Sequence, residues 1–197
     1  MKIYDISQEI LSSCVYPGDP TPRVTRLASI ESGDLYNLSE FAMCAHNGTH
    51  IDAPLHFIKD GKSIDKIDAS RYVGDAFVAC CKGIMCKTDA ENIITKAKNV
   101  NPDSAKRILI KGDATVTEEA ASVFVENGVF LIGVESQSVG PIDAPMATHL
   151  LLLGAGTILL EGIRLADVPE GEYLICAAPL NIKGIEGAPC RAMLIKY

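Results

Sequence analysis

The stretch Arg107-Ile-Leu-Ile-Lys-Gly-Asp-Ala-Thr-Val-Thr-Glu-Glu-Ala-Ala-Ser-Val-Phe-Val-Glu-Asn-Gly-Val-Phe-Leu-Ile-Gly-Val134 decides the fold class. Residues 107–110 are a short apolar run that reads as a buried strand. Thr117 is a good N-cap, Glu118 and Glu119 suit a first helical turn, and Gly128 suits the stop. Residues 129–134 are a second buried strand. Strand, helix and strand in that order form a βαβ unit, which requires a parallel pair in a sheet.

Working outward toward the N-terminus, residues 75–81 read as another buried strand. Thr88 or Asp89 can cap a helix reaching about Lys98, with Ile93, Ile94 and Ala97 on one face. Residues 2–11, 24–31 and 36–45 read as strands, the last two joined by Ser32-Gly33-Asp34. Residues 12–23, with Pro17, Pro20 and Pro22, form a loop. Toward the C-terminus, 135–143 is a polar loop after a buried strand, a common position for a site. Pro145 can open a short helix that Gly154 closes. Residues 157–160, 172–178 and 192–196 are further strands, and 184–189 reads as a glycine-rich loop. The expected fold is a single α/β domain over residues 1–197 with a mixed sheet.

The chain has 197 residues, 48% of them hydrophobic, enough for one core and short for two. Its net charge of −7 is spread without basic runs, and tryptophan is absent, so a nucleic-acid partner is not expected. No apolar run is long enough for a membrane span or a signal-peptide core. Seven irregularly spaced cysteines without a CxxC pair read as reduced thiols in a cytoplasmic protein.

Three of the four histidines fall within His46-Asn-Gly-Thr-His50-Ile-Asp52-Ala-Pro54-Leu-His56. Gly48 and Pro54 argue against a helix there. On an extended path His50 and Asp52 point the same way, and Gly48 lets the backbone turn between His46 and His50. Two imidazoles and a carboxylate can then converge on one point. Such ligands suit zinc, manganese or iron(II), and three protein ligands leave an open position for chemistry. Rival readings of the same region are weaker. Cys44 with His46 or His56 competes for the ligand histidines, no nucleophile elbow surrounds Ser136 or Ser138, and Gly154-Ala155-Gly156 precedes a strand and lacks the P-loop lysine. Taken alone, His149 and Glu161 are unremarkable, and Tyr16 is one aromatic in a connecting loop.

The motif His46-x-Gly-Thr-His50-x-Asp52-x-Pro54-x-His56 resembles the signature of the cyclase family, which includes bacterial kynurenine formamidases and isatin hydrolases. Tyr16-Pro17-Gly18-Asp19-Pro20, Gly133 to Val139, His149 with Glu161-Gly162, and Gly184-x-x-Gly187-x-Pro189-x-Arg191 resemble further family segments. The resemblance implies that His46, His50 and Asp52 hold one divalent ion, with Asp52 bridging to a second ion held by His149 and Glu161. It implies His56 as general acid/base and Tyr16 against the substrate, where kynurenine formamidases carry tryptophan. It also implies zinc or, alternatively, manganese, a small β-barrel-like core of the swivelling β/β/α type, and a homo-oligomer, dimer or tetramer. The expected activity is metal-dependent hydrolysis of a C–N bond in a small aromatic amide, N-formylkynurenine first. A cyclic amide or lactone hydrolase and a non-catalytic metal- or ligand-binding module are the alternatives.

Overall fold

The computed structural model describes residues 1–197. In chain order the strands are β1 (Lys2–Asp5), β2 (Arg23–Ala28), β3 (Leu38–Ala42), β4 (His50–Asp52), β5 (Val73–Cys80), β6 (Gly83–Met85), β7 (Arg107–Lys111), β8 (Ala114–Val116), β9 (Leu131–Val134), β10 (Ile158–Glu161), β11 (Gly171–Cys176), β12 (Gly187–Pro189) and β13 (Met193–Lys196). The helices are α1 (Lys87–Val100), α2 (Glu118–Glu126) and α3 (Met146–Gly154). Nine strands form one sheet in the order β1-β13-β11-β5-β7-β9-β10-β4-β12. Its middle, β5-β7-β9-β10, is parallel, and both flanks are antiparallel.

The parallel strands are short apolar runs because they are buried on both faces. Alternation along each strand sorts their side chains. Ile108, Ile110 and Ile132 join the core beneath α1, α2 and α3, whereas Leu109, Leu131 and Leu160 point into a second core on the opposite face. Thr117 caps α2 as its sequence predicts, its side chain accepting from the Ala120 N–H.

The sheet has to curl. Only Cys190, Arg191 and Ala192 separate β12, at one edge, from β13, next to the other. Pro189 and Met193 therefore lie within about 14 Å of each other along the chain. In a flat sheet the seven intervening strand spacings would hold them roughly 34 Å apart. Ile6 marks the same curvature, donating its N–H to Ala192 O (3.0 Å) and accepting from Arg164 N (2.8 Å), so it joins the ends of β13 and β10. The barrel-like core is thus a strongly curled mixed sheet around the second apolar cluster.

Several elements differ from the sequence reading. The first strand stops at Asp5, because the Gln8 side chain turns the chain by donating to Gly162 O and accepting from Cys14 N. Residues 187–189 are an edge strand, β12, where a loop was expected; an edge position tolerates Pro189. The cap of α1 is Cys86, with Asp89 accepting the Cys86 N–H, so the helix begins before the expected Thr88 or Asp89. The small parallel pair β6–β8 was not foreseen. Strands β2 and β3 pair with each other as a separate hairpin.

Candidate metal centre and active site

Strand β4 carries the centre. His50 and Asp52 alternate with Ile51, so they share a face while Ile51 enters the inner core. Register with β10 sets Glu161 directly opposite His50, and Asp52 opposite Leu159. Directly opposed residues of an antiparallel pair project to the same side, and Leu159 packs under the helices. The His50, Asp52 and Glu161 side chains therefore rise toward α3. That helix supplies His149, buried on the face it shares with Thr148, Leu152 and Leu153. His46 arrives from the loop before β4, which Gly48 turns at a φ of 63°.

The side chains meet closely. Asp52 is fully buried. Its Oδ1 lies 2.8 Å from His46 Nδ1 and 3.3 Å from His50 Nε2. Its Oδ2 faces His149 Nε2 and His56 Nε2, each at 3.9 Å. Glu161 completes the ring, 3.6 Å from His50 Nε2 and 3.3 Å from His149 Nε2, and its Oε1 also accepts the Val139 N–H at 2.7 Å. Two ligand groups result, His46-His50-Asp52 and Asp52-His149-Glu161, which share Asp52.

Backbone carbonyls orient two of the imidazoles. His50 Nδ1 lies 3.0 Å from Gly48 O, and His149 Nδ1 lies 2.8 Å from Pro145 O, one helical turn back. A carbonyl only accepts, so each Nδ1 bears the hydrogen and each Nε2 can offer its lone pair to the centre.

The electrostatics call for a cation. Burial pushes His50 toward its neutral form, but Asp52 and Glu161 outweigh it and raise its pKa to about 10. His46 and His149 are likewise raised against burial, by Asp52 and Glu161 respectively. Asp52 stays ionised in spite of burial because His46 and His50 hold it. Yet Asp52 Oδ2 is buried without any hydrogen-bond donor. An orphaned carboxylate oxygen in that position is costly unless a positive charge meets it. A donor set of imidazole nitrogen and carboxylate oxygen, without thiolate, fits a divalent metal ion.

His56 behaves differently. It follows Pro54 on a short 3-10 turn, stacks on His46 at 4.0 Å between centroids, and lies farther from the carboxylates than the other imidazoles. Burial lowers its pKa, so it is neutral near pH 7. It borders a cavity of about 260 Å³ whose lining includes Tyr16, Asp19, Cys44, Phe57 and Ser138. The Tyr16 hydroxyl donates to Ile142 O at 3.0 Å. Cys44 Sγ turns toward Asp19 (3.6 Å), and no hydrogen bond joins Cys44, Ser136 or Ser138 to a histidine, so a thiol or serine nucleophile is not assembled.

A family model described as "Putative cyclase" matches residues 4–141, well over half of the sequence. The chain belongs to the cyclase family. Two proteins named kynurenine formamidase resemble it over nearly their whole lengths. The one from Salinibacter ruber is 31% identical over 98% of this chain and 97% of that protein. The one from Erythrobacter litoralis is 30% identical over 98% of this chain and 93% of that protein. Among solved structures, a potential metal-dependent hydrolase with cyclase activity superposes with a TM-score of 0.80 at 30% identity, covering 98% of this chain and 96% of that one. An isatin hydrolase bound to thioisatinate shares the fold, with a TM-score of 0.83 at 17% identity, covering 100% and 93%. Like these relatives, this cyclase-family member is a mixed α/β protein around a curled sheet.

Sequence reasoning had named His46, His50, Asp52, His56, His149, Glu161 and Tyr16, and all seven meet at this one place. It missed Phe57, whose ring stacks on His149 at 4.6 Å. Its position directly after His56 was the available signal. It also missed Glu186, 3.4 Å from His46 Nε2. Nothing local in the sequence marks that acid, because only strand register brings it to the site.

Proposed function

We propose that this chain is a divalent-metal-dependent hydrolase that cleaves the C–N bond of a small aromatic amide, with N-formylkynurenine, giving kynurenine and formate, as the first substrate to test. The observation that carries the proposal is the buried, unpaired Asp52 Oδ2, set between two ligand groups with the unligated His56 beside it. Relatives named kynurenine formamidase at about the same length support the substrate. In this reading His46, His50 and Asp52 hold one ion and Asp52, His149 and Glu161 a second, zinc before manganese.

Such a cation, when bound, polarises a carbonyl and acidifies water. The remaining work belongs to the chain. His56, neutral and facing the cavity, accepts a proton from the attacking water at Nε2 and returns it to the departing nitrogen. A C–O bond forms and the C–N bond breaks, leaving formate and the amine. Asp52 and Glu161 keep His50 and His149 in place, and Tyr16 and Phe57 offer aromatic surface to the substrate.

Residues 1–197 act as one unit in this reading. The seven cysteines are all free, which supports a reducing, cytoplasmic setting. No helix is long and apolar enough to cross a membrane. The hairpin β2–β3 exposes Leu27, Ile30, Leu35 and Phe41. An isolated hairpin is marginal in water, which supports a homodimer that covers it.

A second substrate reading has its own observation. No lysine or arginine lines the cavity, so the side chains offer no counter-ion for an amino-acid carboxylate, and a neutral cyclic amide or lactone fits as well.

The test is elemental analysis of purified protein, with hydrolysis of N-formylkynurenine and of isatin measured before and after chelation. Chelator-sensitive turnover of the first supports the proposal, and preference for isatin moves it to the cyclic class. Metal uptake with no turnover of any amide or lactone leaves a binding module.

A further inference from the structure

The third ligand histidine lacks the support that the other two have. His50 and His149 are oriented by carbonyls at Nδ1. His46 is turned the other way, with Nδ1 toward Asp52 at 2.8 Å and Nε2 away from the centre. Its Nε2 is buried and makes no hydrogen bond. The group facing it is the Glu186 carboxylate, with Oε1 at 3.4 Å.

Glu186 is held there by its own backbone. Its carbonyl accepts the Ala53 N–H at 2.8 Å, directly after β4. On either side of it, Ile185 O accepts from Ile64 N at 2.9 Å, and Gly187 pairs with Asp52 across β12 and β4. Gly187 lets this strand approach the imidazole. A Cβ at that position would lie 2.9 Å from His46 Cε1 and 2.8 Å from Ile51 O, so any larger residue would push the strand away. Gly184 N–H donates to Asp65 Oδ1 at 2.9 Å and fixes the start of the segment. A built approach of this kind, ending in a carboxylate opposite a buried ring nitrogen, is the arrangement that orients metal-binding histidines.

We propose that Glu186 is the positioning residue for His46: its carboxylate keeps a hydrogen on Nε2, so that the hydrogen Nδ1 shares with Asp52 at 2.8 Å is the one given up when a cation enters at the Asp52 position. His46 then binds through the opposite nitrogen from His50 and His149. The inference rests on the proposed metal site, and it adds a member that none of the ligand groups contains.

The test uses full-length protein, Zn²⁺ as the probe, and three forms: wild type, Glu186→Ala and Glu186→Gln. Zn²⁺ affinity is measured by competition with a chromophoric chelator. Long-range ¹H–¹⁵N spectra of the imidazoles report which nitrogen of His46 bears hydrogen, and thermal melts report folding. The expected result is at least about a tenfold weaker affinity for Glu186→Ala, with loss of the Nε2–H signature of His46. In Glu186→Gln the amide oxygen still accepts, so the tautomer is retained and much of the affinity recovers. A role confined to packing the loop would move the melts and leave the tautomer unchanged. Zn²⁺ affinity within twofold of wild type for Glu186→Ala, with Nε2–H intact, overturns the inference alone. A wild-type protein that takes up no Zn²⁺ sinks the hydrolase reading as well, and the two failures are told apart by that first measurement.

Discussion

Replacing His56 by alanine separates chemistry from metal binding. Its Nε2 is 3.9 Å from Asp52 Oδ2, too far to anchor the carboxylate, and it belongs to neither ligand group. Its ring stacks on His46 at 4.0 Å and meets Phe57 edge-on at 4.6 Å, with its side chain 28% exposed. Losing those contacts costs about 1 kcal/mol of stability. Losing a positioned general acid/base costs about 10²- to 10⁴-fold in rate, or roughly 3–5 kcal/mol of barrier. The expected variant is folded, carries the wild-type metal content, and has kcat reduced by at least about a hundredfold. Steady-state hydrolysis of N-formylkynurenine, paired with elemental analysis of the same sample, measures both. The pH profile adds a sign. Burial depresses the His56 pKa, so the free base persists below the usual imidazole value, and the acidic limb of kcat/KM falls below pH 6.5. Near-normal turnover in the variant refutes the assigned role, and parallel loss of metal and turnover makes His56 a ligand instead.

Three further outcomes follow from the geometry. Glu161→Gln keeps an oxygen for the Val139 N–H but removes the charge shared by His50 and His149, so the metal-to-protein ratio falls by one ion where wild type holds two. Metal uptake by His46, His50 and His149, whose pKa values are raised without the cation, displaces protons, so affinity rises with pH; calorimetry in buffers of different ionisation enthalpy counts the protons released. Gly61→Ala places a Cβ 2.5 Å from the Pro54 carbonyl carbon and 2.7 Å from Leu55 N, against the turn that presents His56. It lowers stability by about 1–3 kcal/mol and Tm by about 2–12 °C, read from a thermal melt.

What the sequence conveys and what it hides divide along a physical line. The βαβ unit is legible because buried parallel strands are apolar runs and Thr117 and Gly128 punctuate the helix between them. The candidate ligands are legible because histidine is scarce here, and three of the four crowd around Asp52. His149 and Glu161 carry no local signal of their own; a family resemblance placed them, and the register of β4 against β10 explains them. Strand β12 was hidden because Gly-Ala-Pro has turn composition, and only its edge position makes it a strand. Glu186 was hidden for a related reason: its partner is about 140 residues away and meets it solely through that pairing. The Cys86 cap escaped notice because thiols are weak caps, and here Asp89 accepts the Cys86 N–H.

The position of β4 has a consequence for how the protein matures. This three-residue strand lies between β10 and β12, both more than a hundred residues later in the chain. It has no sequence neighbour to pair with, so its loop-closure entropy is met only when the distant half of the sheet is already in place. The final geometry of His50 and Asp52 therefore depends on contacts more than a hundred residues distant in sequence. On the proposed metal reading, ion binding would report assembly: a chain that has failed to seat β10 or β12 carries the same side chains but does not bring them together.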